Sequence, residues 1–149
     1  MSIAIGQGPW RKIACAECHG GDIRIDGLRA GVGILVYDAT SKATFGGHFP
    51  APDAQSAGGV DGLFAMLQQS MEDFRDSPIV HIYASGCAEQ DHESWKCTGP
   101  VAQRFVDAEL RRRHRPNQQR DIRWPRSNVL TSEMSLCPES GAYECGFRW

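Results

Sequence analysis

With 149 residues, 16.4 kDa and 41% hydrophobic content, the chain has the size and composition of one globular domain and is not globally disordered. Its longest uninterrupted apolar run, Gly31 to Tyr37, falls far short of the roughly 20 residues a spanning helix needs, so no membrane insertion is expected. The net charge of −2 names no partner, but between Arg104 and Arg126 eight arginines stand against three acids, a basic segment on an acidic body.

The opening Met-Ser-Ile-Ala-Ile-Gly-Gln-Gly-Pro-Trp has neither a basic start nor a long apolar stretch, so a secretory signal is not expected and the expected location is the cytoplasm. Gly31-Val-Gly-Ile-Leu-Val-Tyr-Asp38 reads as a strand covered on both faces. Asp38-Ala-Thr-Ser41 turns it into a second strand over Lys42–Phe49, which Pro50 and Pro52 end. From Val60 the period lengthens: Val60, Leu63, Phe64, Leu67, Met71 and Phe74 share one face of an amphipathic helix. Pro78–Ala84 reads as a buried strand. Ser85–Gly99 is polar and carries Cys87, His92, Trp95 and Cys97. Thr98 caps a second helix with Pro100 in its first turn and Arg111–His114 in its last. Ser127–Leu136 and Ala142–Phe147 form a closing hairpin about Pro138-Glu-Ser-Gly141. This order predicts one mixed α/β domain over residues 1–149.

Asp26-Gly-Leu-Arg-Ala-Gly31, followed by Val-Gly-Ile-Leu-Val-Tyr-Asp38, then Lys42, then Phe45-Gly-Gly-His48-Phe-Pro, resembles the chemotaxis receptor glutamine deamidase family, CheD. The family pattern places a catalytic Cys where Gly31 stands, a His at His48, 17 residues later, and a Thr where Ile25 stands. The resemblance implies a CheD-like α/β sandwich of two helices on a mixed sheet with a C-terminal hairpin. It also implies that His48 serves as the base, at the edge of a cleft between Gly27–Gly31 and Ser85–Cys87, with Gly31, Ser85 and Gly86 bordering a bound substrate. The family's thiolate attack on a side-chain amide requires a nucleophile, and Gly31 offers none.

Two functional expectations follow. One is a binding or regulatory protein for a chemoreceptor-like partner with an exposed glutamine, needing no cofactor. The other is a glutamine deamidase whose nucleophile has moved, with Cys87 presenting sulfur to His48. Ala84-Ser-Gly-Cys87 resembles the Leu-Ser-Gly-Cys motif of glutamine-deamidating toxins such as cytotoxic necrotizing factor, which opens a third expectation, an exported effector with three disulfides. For each residue a plainer role stands beside these: a strand-end histidine for His48, a packed thiol for Cys87.

The remaining motifs leave alternatives open. Cys15-Ala-Glu-Cys18-His19 spells a c-type haem attachment pattern but has no obvious distal Met. Cys15 and Cys18 also have the spacing of a zinc knuckle that Cys87, His92 and Cys97 would complete, or they are free thiols. Cys137 and Cys145, placed symmetrically about Gly141, would face each other across the hairpin, as a disulfide or as two core thiols. Arg111-Arg-Arg-His-Arg115 is expected as a solvated helix end. With Trp124 as a stacking platform it would meet phosphate, but nucleic acid is the unlikelier partner because no known nucleic-acid module fits.

Overall fold

The computed structural model describes residues 2–28, 31–50, 57–86, 99–125 and 131–148. Among them are strands β1 (Ile3–Ala4), β2 (Arg11–Ile13), β3 (Ile23–Leu28), β4 (Gly31–Asp38) and β5 (Thr44–Pro50), helix α1 (Ala57–Asp73) and strand β6 (Val80–Gly86). Helix α2 (Gly99–Arg112) and strands β7 (Gln118–Arg123), β8 (Thr131–Leu136) and β9 (Tyr143–Arg148) complete the order. The fold is α/β, as the sequence implies, but the strands divide into two mixed sheets rather than one. The first runs β2-β5-β4-β6-β7 and the second β1-β3-β8-β9.

The apolar run becomes β4, the middle strand of the five, and every one of its residues is buried. Side chains on a strand alternate between faces, so a run apolar at every position needs a cover on each side. Val32, Ile34 and Val36 pack with Phe45 and Phe49 against Leu63, Met66 and Leu67 of α1 and Val106 and Leu110 of α2. Leu35 and Tyr37 pack the other way, with Ile25 and Leu28 of β3 and Met134 and Leu136 of β8. The layers are therefore helices, five-stranded sheet, four-stranded sheet.

Helix α1 buries Leu63, Leu67 and Met71 as the period predicts, with Met66 beside them, and Phe74 continues the buried stripe just past the helix end. Phe64 stacks on Phe105 of α2 with ring centroids 5.7 Å apart, so that edge of the stripe joins the two helices. At the end of β4, the Asp38 carboxylate accepts hydrogen bonds from the N–H groups of Thr40 and Ser41 and from the Ser41 hydroxyl. Burial by itself would raise the Asp38 pKa, but these bonds outweigh it and hold the carboxyl below its usual range.

Strands β1, β2, β3 and β7 were not expected. In β3 the Ile23-Arg-Ile-Asp alternation does suit a half-buried strand, and Ile23 and Ile25 are buried. Gly27, at φ +65°, lies where the β3–β8 register slips between Ile25 and Leu28, a bulge that still turns Leu28 inward.

Ile34 and Leu35, adjacent on β4, face different layers, and each is fully buried. Ile34→Ala and Leu35→Ala are each expected to cost about 2–5 kcal/mol in urea unfolding. A near-neutral result for either one would contradict a β4 covered on both faces.

Candidate functional site

His48 lies on β5 in a row that crosses the sheet. It stands opposite Gly33 of β4, which in turn stands opposite Ser85 of β6, and Gln7 bridges to His48 from the other side. Residues opposite one another on antiparallel strands share a face. That face is turned to the second sheet: a Cβ on Gly33 would come within 2.8 Å of Met134 Sδ and 2.9 Å of Leu28 Cδ1. Ser85 points the same way and donates a 3.1 Å hydrogen bond to the Ser132 hydroxyl, which donates to the Gly86 carbonyl at 3.2 Å. Both serines are buried, so the Ser85 hydroxyl is engaged between the sheets.

The His48 ring is only 5% exposed, so it does not sit at an open rim. The segment carrying Gln7 on one side and β4 on the other enclose its strand. Its Nε2 is buried and has no hydrogen-bond partner among the described residues. Burial disfavours the imidazolium and pushes its pKa below the ordinary value of 6.5. The ring is therefore a neutral imidazole at physiological pH.

Gly31 is what Nε2 faces. A Cβ built at Gly31 would lie 3.2 Å from His48 Nε2 and 3.3 Å from Cδ2. The same Cβ would clash with the Phe49 carbonyl oxygen, a backbone atom that cannot swing aside. Ile25, the other departure from the family pattern, is fully buried between the sheets and stands opposite Met134. Gly86 ends β6 beside Gly31: its Cβ position is 3.1 Å from the Gly31 carbonyl oxygen. Cys87, which follows it, lies outside the described residues, as do His92 and Cys97. Of the expected zinc set, only Cys15 and Cys18 are described.

Cys137 and Cys145 are not cross-strand partners. The β8–β9 register puts Cys145 opposite Met134, while Cys137 sits past the end of β8 with its N–H bonded to the Ala142 carbonyl. The turn is centred before Gly141, so the symmetric spacing does not translate into facing residues. Cys15, Cys18, Cys137 and Cys145 are all free thiols.

Arg111, Arg112, His114 and Arg115 are exposed, as expected of a solvated helix end, but Arg113 is half-buried. Arg112 and Arg113 both reach Glu109, at 3.1 and 3.4 Å, and Arg113 also donates to Gln68. Trp124 packs against the helix-side core and donates to Asp107 at 3.3 Å, so it offers no free stacking platform. Two placements carried no signal in the sequence. Gln7 reaches His48 through a single isolated bridge, and Cys137 meets the Cys15–Cys18 region only through pairing of distant strands. Compared with known proteins, the chain matches no protein-family model and no curated protein.

Because the folded-state pKa of His48 is depressed, the unfolded chain binds a proton near pH 6.5 that the folded chain refuses. Stability from this group is complete above that pH and declines as pH falls towards the lower folded value, by up to about 1.4 kcal/mol per pH unit. Urea unfolding from pH 7.5 to 5.5 should show this decline in the wild type and its loss in His48→Phe. Parallel curves for the two proteins would contradict a buried neutral ring.

Proposed function

We propose that the protein is a CheD-like binding or regulatory protein, in which the family's nucleophile position is glycine by structural requirement. It engages an exposed glutamine side chain of a chemoreceptor-like partner without hydrolysing it, and because His48 Nε2 is buried in the free protein, contact with that atom requires the ring to be uncovered on binding. The observation that supports this reading is the approach of Gly31 to His48 Nε2, with 3.2 Å between that nitrogen and the Cβ position. The two residues that the family pattern would make nucleophile and base are neighbours across β4 and β5, and one of them has no side chain. A primary amide carries both a donor and an acceptor, and a neutral imidazole nitrogen is a partner for either. With neither thiol nor hydroxyl at position 31, a general base alone supplies about 10²–10⁴-fold, against the 10⁶-fold or more expected of an enzyme. The cytoplasm, where thiols stay reduced, is the compartment this reading implies.

A second reading is favoured by one feature, the end of β6 at Gly86 beside the Gly31 carbonyl, from which the chain continues to Cys87. In that reading Cys87 is the relocated nucleophile of a deamidase and His48 its base.

Both readings are tested with a glutamine-bearing receptor peptide. The first expects saturable binding, no ammonia release, and a loss of about tenfold in affinity in His48→Phe, the worth of about 1.4 kcal/mol for the lost hydrogen bond. Ammonia release that disappears in Cys87→Ser establishes the second reading, and absence of any binding contradicts both. Independently, Gly31→Ala is expected to cost about 1–3 kcal/mol in urea unfolding, because the added methyl meets the Phe49 carbonyl. A neutral Gly31→Ala would show that the glycine is not required by the fold.

A further inference from the structure

Cys15 and Cys18 occupy the two ends of a 3₁₀ turn, Cys15–Cys18. In a 3₁₀ helix, side chains three apart eclipse one another, and a rise of about 2.0 Å per residue sets their Cα atoms about 6 Å apart. Disulfides span Cα separations of about 4.4–6.8 Å. The two side chains therefore share one face of the turn, with their Cα atoms inside the range that disulfides span.

The surroundings hold that geometry in place. Strand β2, paired with β5 in one sheet, ends at Ile13, and β3 of the other sheet begins at Ile23, so the Cys15–Cys18 turn lies in one of the connections between the two sheets. The Glu17 carboxylate accepts the Ala14 N–H, and the Gly21 N–H closes on the Cys18 carbonyl at 2.7 Å. His19 at φ +47° and Gly20 at φ +78° turn the chain out of the helix. Cys18 is 1% exposed and packs with Ile13, Tyr37 and Leu136, whereas Cys15 is half-exposed. One accessible and one buried sulfur on the same face is the arrangement a thiol–disulfide couple uses: the first meets the oxidant and the second resolves it.

We propose that Cys15 and Cys18 form a redox-active dithiol that closes to a disulfide by exchange with a low-molecular-weight disulfide of the glutathione class. The Cys15 thiolate attacks one sulfur of the oxidant, a mixed disulfide forms, and one thiolate leaves. The Cys18 thiolate then attacks the Cys15 sulfur and expels the second thiolate, which takes up a proton. The two protein thiols lose two electrons and two protons, and the oxidant disulfide becomes two thiols. Burial raises the Cys18 thiol above its ordinary range, with the neighbouring Cys15 and Glu17 adding to the effect, so closure by its thiolate quickens as pH rises. Cys137 stands close by on the turn after β8, where Glu139 Oε2 comes within 3.5 Å of the Cβ position of Gly20, and it is the competing partner the experiment must separate.

The test equilibrates the whole native protein in glutathione buffers from fully reduced to fully oxidised, quenches with an alkylating reagent, and maps tryptic peptides. Cleavage after Lys12 and Arg24 puts Cys15 and Cys18 in one peptide, and Cys137 with Cys145 in another. The expected result is that Ile13–Arg24 becomes lighter by two hydrogens and refuses the reagent, faster at higher pH, while Cys15→Ser abolishes the change. In Cys18→Ser, Cys15 should instead accumulate as a mixed disulfide with glutathione. Three results would overturn the proposal: double alkylation of Ile13–Arg24 in the oxidised buffer, a cross-link from Cys15 to the Cys137 peptide, or stoichiometric zinc protecting both thiols in the purified protein.

Discussion

Burial of β4 on both faces is the constraint on which the rest of this structure depends. A strand whose successive residues are all apolar cannot present any face to water, so two separate layers must form before it is satisfied. The helices meet one demand, and β3, β8 and β9 with the short β1 meet the other. The same constraint decides where glycine is needed. At Gly33 the second sheet's Leu28 and Met134 press against the strand, and at Gly31 the neighbouring β5 backbone does. A side chain at either position would hold the layers or the strands apart, at the typical cost of overpacking a dense interior.

The site follows from this packing. His48 is carried inward by the register of β5 on β4, and glycine across from its ring nitrogen leaves Nε2 without a partner among the described residues. An unpaired polar atom in a low-dielectric interior costs about 1–3 kcal/mol. A ligand amide that satisfied it would recover that energy on binding, which is the physical basis of the proposed recognition role. Burial also keeps the ring neutral, and only a neutral imidazole can accept as well as donate. The arginines of the basic segment contribute less than their number suggests, since Arg112 and Arg113 share Glu109 and Arg123 of β7 is paired with Asp121.

What the sequence made legible were the features governed by local periodicity. The bounds of β4 match the apolar run, the spacing from Leu63 to Phe74 marked the buried stripe of α1, and Thr131–Leu136 with Tyr143–Arg148 form the expected closing hairpin. Strand β7, Gln-Gln-Arg-Asp-Ile-Arg, has little signal in the sequence because it is an edge strand held by backbone pairing to β6 and carries almost no apolar pattern. The split into two sheets was equally hidden: nothing local states that β3 pairs with β8, more than a hundred residues later, rather than with β4. At the site, the 17-residue offset brought Gly31 and His48 together on paper, and the sheet register brings them together in space. That the ring would be buried, and that the glycine is demanded by the Phe49 carbonyl, depended on strand-to-strand distances that no spacing encodes.

The central claim is that the His48 Nε2, buried, neutral and without a partner among the described residues, is the atom that recognises a partner's side-chain amide. Nitrogen-detected NMR of the labelled imidazole tests it most directly, following both ring nitrogens through pH and through addition of a glutamine-bearing peptide. The account predicts a ring that remains neutral below pH 6.5 and an Nε2 resonance that moves with peptide occupancy. A ring that titrates near 6.5 like a free imidazole, or one whose resonances stay still while the peptide saturates, would contradict it.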